Sequence, residues 1–208
     1  MNAYVYTGGK IFPEYISEKP KGEDIIIAAD SGYNNAKLCG VMPNILIGDF
    51  DSLGKIPDGI DEVLQLPPEK DLTDTQLAVE TAIEKGADNI VIISGTGGRL
   101  DHTLSNLAIL EGLWQRNVRC LLTSGQNRVR YIKNSGHILL RDRNYKYFSV
   151  VACDDIVKGV SIDGAKYPLK NVKLTRRLQY AISNEIDGNC ALITVKKGGI
   201  YIIESRDI

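Results

Sequence analysis

Ile45-Leu46-Ile47-Gly48-Asp49-Phe50-Asp51-Ser52 is the stretch from which the fold of this 208-residue chain can be read. Three aliphatic residues in a row predict a short buried strand, and Gly48 stops it. At the end of a strand, residues two apart point the same way, so Asp49 and Asp51 are expected to project their carboxylates together. Two such groups repel unless a cation sits between them or a proton is shared. Hard oxygen donors of this kind suit Mg²⁺, which takes one or two carboxylates and completes its shell with water and substrate phosphates. A D-x-D taken alone fits an Asx turn equally well, with both aspartates capping local N–H groups.

Similar apolar or β-branched runs lie at 3–7, 24–29, 62–66, 89–94 and 118–123, with helical patterns clearest at 73–85 and 100–116. In the second helix, Leu100, Leu104, Leu107, Ala108 and Trp114 are expected to form one apolar stripe. This alternation predicts an N-terminal, mostly parallel α/β sandwich domain over residues 1–124. Sheets of that kind bind ligands beyond the carboxyl ends of their strands, where Asp49 and Asp51 would fall. After about Ser124 the pattern changes. Strand-like runs at 137–141, 146–153, 155–162, 190–196 and 199–204 are separated by Gly, Asn and Asp, without amphipathic helices. They predict a C-terminal all-β domain over 125–208, an antiparallel sandwich or small barrel of about 80 residues.

The chain is 43% hydrophobic and 25% charged, with a net charge of −1. No basic field favours nucleic acid or an anionic membrane surface, and no apolar stretch approaches the roughly 18 residues of a membrane span. Met1-Asn2-Ala3-Tyr4 leads straight into a strand-like run, with neither a basic n-region nor a cleavage site, so a cytoplasmic location is expected. Cys39, Cys120, Cys153 and Cys190 form no C-x-x-C pair and are expected to be buried free thiols.

Two further clusters bear on chemistry. In Lys70-Asp71-Leu72-Thr73-Asp74, Thr73 and Gln76 have capping-box spacing, so Asp74 by itself reads as an acid in the first turn of a helix. Together with Asp49 and Asp51 at the same sheet edge, Asp71 and Asp74 would make a four-carboxylate pocket that needs a divalent metal. Gly95-Thr96-Gly97-Gly98-Arg99-Leu100-Asp101-His102 leaves one strand and enters a helix. Its glycines let the backbone approach a phosphate, the helix start presents free N–H groups, and Arg99 adds a guanidinium fork. It is not a P-loop. His102 and Asn106 share a helical face behind it. Gly8-Gly9 and Asp30-Ser31-Gly32 are turns at the same edge that could touch ligand, whereas Asp154-Asp155 reads as a hairpin turn.

In this order, G-D-F-D-S at 48–52, K-D-x-T-D at 70–74 and G-x-G-G-R-x-D-H-x-x-x-N at 95–106 resemble the thiamine pyrophosphokinase (thiamine diphosphokinase) family. Gly164-Ala165-Lys166-Tyr167-Pro168-Leu169 and Ile182-Ser183-Asn184-Glu185 are similar to that family's G-x-K-Y-P-L and I-S-N-E segments. The resemblance departs at Ala165, where Leu is common, and at Gln179-Tyr180-Ala181, where a glycine is usual. It implies ATP + thiamine → AMP + thiamine diphosphate with Mg²⁺, in a homodimer whose sites lie between subunits. It also implies that Asp49, Asp51, Asp71 and Asp74 form the metal and catalytic set. Gly97, Gly98, Arg99, Asp101, His102 and Asn106 would hold ATP, and Ser183 and Asn184 would meet thiamine. Two rivals remain: a D-x-D phosphatase with Asp49 as nucleophile, and a nucleotide-sensing module without turnover.

Overall fold

The computed structural model describes residues 1–48, 59–65 and 71–207, so Asp49 and Asp51 lie outside the described residues. The chain divides into two compact units, Met1–Gly125 and Gln126–Ile208.

In the first unit the aliphatic runs become β1 (Asn2–Tyr6), β2 (Ile25–Ala29), β3 (Ile45–Gly48), β4 (Glu62–Gln65), β5 (Asn89–Ile93) and β6 (Arg119–Thr123). They pair in the order β4-β3-β2-β1-β5-β6, and every pair is parallel. Strands covered on both faces must be apolar almost throughout, as β3 and β5 are, whereas β4 at the sheet edge alternates partly buried and exposed residues. Val5, Ile27, Leu46, Ile47, Ile90 and Ile92 are wholly buried along the sheet. From β1 the chain steps outward through β2, β3 and β4, then returns to lay β5 against the other side of β1. Strand order therefore reverses between β1 and β5, which is where a doubly wound sheet opens a crevice.

Among the described residues three α-helices connect these strands: α1 (Gly32–Leu38), α2 (Asp74–Glu84) and α3 (Leu100–Gln115). The capping box forms as its spacing predicts. Gln76 N donates to Thr73 Oγ1 at 3.2 Å, and Thr73 N donates to Gln76 Oε1 at 2.9 Å. The predicted stripe on α3 is not the buried one. Leu100 and Leu104 are 70% and 57% exposed, while Asn106, Ile109, Leu110 and Leu113 face the core. The buried set keeps helical i, i+3, i+4, i+7 spacing but begins with a polar residue, and that polar start hides it in a hydrophobicity pattern.

The second unit holds β7 (Asn127–Lys133), β8 (Gly136–Leu140), β9 (Tyr147–Ala152), β10 (Ile156–Asp163), β11 (Leu169–Thr175), β12 (Cys190–Thr194) and β13 (Gly199–Ser205). Within it β13 pairs antiparallel with β7 and β9, and β11-β10-β12-β8 form a second antiparallel sheet. Both sheets bury alternate residues on some strands, such as Ile200 and Ile202 on β13 and Ala191 and Ile193 on β12. This is the expected all-β sandwich. Two strands escape the sequence pattern. On β7, Arg128 is buried because it pairs with Glu204 at 3.4 Å and Asp142 at 3.0 Å. On β11, an edge strand, Lys170, Asn171 and Lys173 are exposed.

Two expectations need correction. Asp154-Asp155 does not turn a hairpin, because β9 and β10 belong to different sheets. It carries the chain between them, and Asp154 Oδ2 accepts from Gly199 N at 3.0 Å. The four cysteines are free, yet only Cys153 is buried. Cys190 is exposed, since the alternation along β12 turns inward at Ala191 and Ile193.

Leu113→Ala, on the buried face of α3, should cost about 2–5 kcal/mol in urea denaturation. Leu104→Ala on the predicted face should stay within about 0.5 kcal/mol. Equal costs would mean that the buried face of α3 has been misassigned.

Candidate active site

A cavity of about 300 Å³ opens at the carboxyl edge of the parallel sheet, at the reversal between β1 and β5. Its walls are the turns that leave three strands, together with the starts of α2 and α3. Thr7, Gly8, Gly9 and Lys10 follow β1; Asp30 and Ser31 follow β2; Ser94, Gly95, Gly97 and Gly98 follow β5. Asp74 reaches it from α2, and Arg99, His102 and Asn106 reach it from the start of α3.

The glycines are there for lack of room. A Cβ on Gly9 would lie 1.9 Å from the Ser94 carbonyl oxygen, and one on Gly8 would lie 2.0 Å from Ser31 Oγ. Gly97 and Gly98 have φ of 93° and 81°, a backbone conformation that costs other residues about 1–2 kcal/mol. Buried amides hold the turns. Asn106 Nδ2 donates to Gly95 O at 3.0 Å, and Asn35 Nδ2 donates to Thr7 O at 2.6 Å and Gly9 O at 2.9 Å.

Of the expected nucleotide residues, Gly97, Gly98, Arg99, His102 and Asn106 line the cavity, and Asp101 does not. Instead Asp101 grips Arg99 through Nε at 3.2 Å and Nη2 at 2.6 Å, and it accepts from His102 N at 2.9 Å. The hydrogen bond from Arg99 holds the Asp101 carboxyl down at about 2 and raises the Arg99 guanidinium.

Of the expected acids, Asp74 lines the cavity, whereas Asp71 is exposed and outside its lining. Asp30, read from the sequence as part of a turn that could touch ligand, also lines it. A Cβ on Gly48 would lie 1.7 Å from Asp30 Oδ1, so the Asp30 carboxylate packs on the last residue of β3. Among the described residues no three His, Cys, Asp or Glu side chains gather into a metal-binding group. Asp30 and Asp74 nonetheless supply hard oxygen donors of the kind Mg²⁺ takes. Sequence reasoning missed Lys10, which lines the cavity, and Asn35, buried behind it. The only trace of Asn35 is an asparagine pair inside a short helix, where asparagine is a poor helix former.

In the second unit the two singled-out segments lie side by side. Lys166 N donates to Glu185 O at 2.9 Å, and Ala165 bridges Ile186. The Asn184 side chain is buried. Its Oδ1 accepts from Tyr167 N at 3.0 Å, and its Nδ2 donates to Tyr167 O at 2.8 Å, so its amide ties the two segments together. Ser183 is exposed with φ of 56°, and its backbone N donates to Ser149 Oγ at 3.0 Å.

Glycine turns, a helix start and an arginine beside carboxylates, at the reversal point of a parallel sheet, define a small-molecule site of the α/β class furnished for a phosphate-bearing ligand. Residues 17–122 match the family described as thiamin pyrophosphokinase, catalytic domain, and residues 136–200 match thiamin pyrophosphokinase, vitamin B1 binding domain. Over 186 residues the chain is 31% identical to thiamine pyrophosphokinase of Bacillus subtilis, spanning 87% of each. A crystal structure of thiamine pyrophosphokinase from Bacillus subtilis superposes with a TM-score of 0.89 at 28% identity, covering 100% of both chains. One from Geobacillus thermodenitrificans gives 0.85 at 25%, covering 100% of this chain and 98% of that one. The chain belongs to the thiamin pyrophosphokinase family.

The Arg99–Asp101 pair has a readable pH signature. Because the folded Asp101 carboxyl lies below the ordinary value of about 3.9, the pair is complete above about pH 4 and is lost as pH falls through about 2. In an NMR titration Arg99→Gln should move the Asp101 midpoint upward toward about 3.9. An unmoved midpoint would rule out the pairing.

Proposed function

We propose that the chain is a thiamine diphosphokinase that transfers the pyrophosphoryl group of ATP to the hydroxyl of thiamine, giving thiamine diphosphate and AMP. The observation that carries this reading is the cavity at the β1/β5 reversal, in a chain that matches both domains of the family. The thiamine hydroxyl oxygen attacks the β-phosphorus, the bond from that phosphorus to the α,β-bridging oxygen breaks, and AMP departs. The hydroxyl proton passes to one of the site carboxylates. Such transfers depend on positioning and charge neutralisation more than on covalent help.

Gly97, Gly98, His102 and Asn106 hold the triphosphate, and Asp101 presents Arg99, whose fork neutralises charge that develops on the phosphates. Asp49, Asp51 and Asp74 hold Mg²⁺, with Asp30 as a further donor and Asp71 outside the cavity lining. When bound, Mg²⁺ screens the triphosphate and polarises its phosphoryl oxygens. The charge distribution supports a cation here, since residues 1–125 carry 18 Asp and Glu against 10 Lys and Arg.

The β unit recognises thiamine. The exposed Ser183 hydroxyl contacts the ring, beside the exposed side chains of Tyr167 and Ile182, and Asn184 keeps those segments in register. The active form is a homodimer with sites between subunits. An exposed apolar face supports this, with Ile138 opposite Leu192 and Leu140 opposite Cys190 across β8 and β12. The free thiols fit a reducing cytoplasm. No helix among the described residues is long and apolar enough to cross a membrane.

The protein with ATP, Mg²⁺ and thiamine should release AMP only when thiamine is present. Inorganic phosphate from phosphate esters would favour a D-x-D phosphatase, and nucleotide binding without turnover a sensor. Asp49→Asn or Asp51→Asn should abolish transfer with the fold intact, a loss of several kcal/mol of transition-state stabilisation. Near wild-type turnover of both variants at saturating Mg²⁺ would end the metal-site reading. Ser183→Ala should raise the thiamine KM with little change in ATP affinity. If sites are shared, mixing Asp49→Asn chains with Ser183→Ala/Asn184→Ala chains should recover activity that neither parent shows.

A further inference from the structure

Asn35 takes no place in the cavity lining, yet its side chain joins two of the turns that form it. It sits on α1 at 9% exposure. Its Nδ2 lies 2.6 Å from Thr7 O, 2.9 Å from Gly9 O and 3.0 Å from Ser94 Oγ. Two amide hydrogens serve three acceptors. Ser94 completes the knot, with Oγ 2.6 Å from both Thr7 O and Ile93 O. Ser94 is held at φ 62°, a left-handed conformation that a serine does not adopt without support from its surroundings. The knot therefore ties the end of β1 to the end of β5 at the point where strand order reverses.

We propose that Asn35 is a positioning residue for the transfer proposed above, acting through Thr7, Gly9 and Ser94 rather than on substrate. A phosphate-bearing ligand tolerates N–H groups around it and is repelled by carbonyl oxygens. Asn35 gives the carbonyls of Thr7 and Gly9 an internal donor, as Asn106 does for Gly95. Both turns are thereby held in one arrangement before ligand arrives, and their Cα atoms approach within limits that only glycine satisfies. Without the amide, Thr7 O, Gly9 O and Ser94 Oγ each lose an N–H donor at once, and Thr7 O is left to the Ser94 hydroxyl. The turn 7–9 is then free to shift against 94–98. A displacement on the order of 1 Å at such a site costs about a hundredfold in rate.

The test uses the full chain with Asn35→Ala, Asn35→Asp and Ser94→Ala. Each is followed by thermal melting, by steady-state kinetics in ATP and in thiamine, and by calorimetric ATP binding. Where the variants stay folded at the assay temperature, kcat should fall between about tenfold and a hundredfold, with the thiamine KM within about twofold of wild type. Asn35→Asp should regain activity relative to wild type as pH falls, because a protonated carboxyl can donate again and an ionised one cannot. A residue that served only to stabilise the fold would lower the melting temperature and leave kcat of the folded enzyme unchanged. Folded Asn35→Ala and Ser94→Ala with kcat within twofold of wild type would overturn the proposal. If Asn35→Ala does not fold, Ser94→Ala, which deletes one oxygen from the knot, decides. Should the wild type itself release no AMP with thiamine, the transfer reading fails separately. Unchanged ATP affinity in both variants would then overturn the role of Asn35 as well.

Discussion

The turns that follow β1, β2 and β5 come closer together than side chains allow, and the rest of the site depends on that approach. Gly32 packs on the Tyr6 carbonyl, where a Cβ would lie 2.1 Å away, while Gly8 and Gly9 pack on Ser31 and Ser94. Parallel strands end side by side at one edge, so the turns that leave them compete for the same space. Glycine removes the steric obstacle. It cannot remove the electrostatic one, because backbone carbonyls crowd together as the turns close. Asn35 and Asn106 relieve that crowding by donating to three of them.

The same edge concentrates charge of both signs. Asp30 and Asp74 face a space shared with Lys10, Arg99 and His102. Carboxylates in one cavity favour a bound cation or a shared proton, and the proposed triphosphate with Mg²⁺ would supply charge to answer both sets. The two units are oppositely biased, since residues 126–208 carry 15 Lys and Arg against 8 Asp and Glu. Three of those cations are exposed strand residues, Lys158 on β10 and Lys170 and Lys173 on β11, and Lys158 stands opposite Lys173. Like charges directly opposite destabilise a sheet modestly, so burial on the inner faces must carry the stability of this unit.

Much of the fold is legible in the residues themselves, because apolar runs that continue without alternation have few explanations besides a sheet covered on both faces. Strands β2, β3 and β5 announce themselves in this way, whereas β4 at the sheet edge alternates. What escapes is polarity used internally. Arg128 reads as a surface residue until its buried partners are known, so β7 is hidden. Asn106 breaks the apolar stripe of α3, and the eye settles on Leu100 and Leu104 instead. At the site, motif spacing picks out Asp74 and the Gly97–His102 segment. It does not pick out Asn35, whose partners lie 26 to 59 residues away in sequence. Asn184 shows the converse. The residue is legible as important, yet its amide is spent on the Tyr167 backbone.

The most direct test of where the nucleotide sits is an amide NMR titration of the full chain with a non-hydrolysable ATP analogue and Mg²⁺. Residue-resolved shifts would be followed before and after thiamine is added. The account predicts that the N–H signals of Gly8, Gly9, Gly95, Gly97 and Gly98 move first and most. Those of Ser183 to Glu185 should respond only when thiamine follows. Nucleotide-induced shifts centred on the β unit, with the glycine turns unmoved, would contradict it.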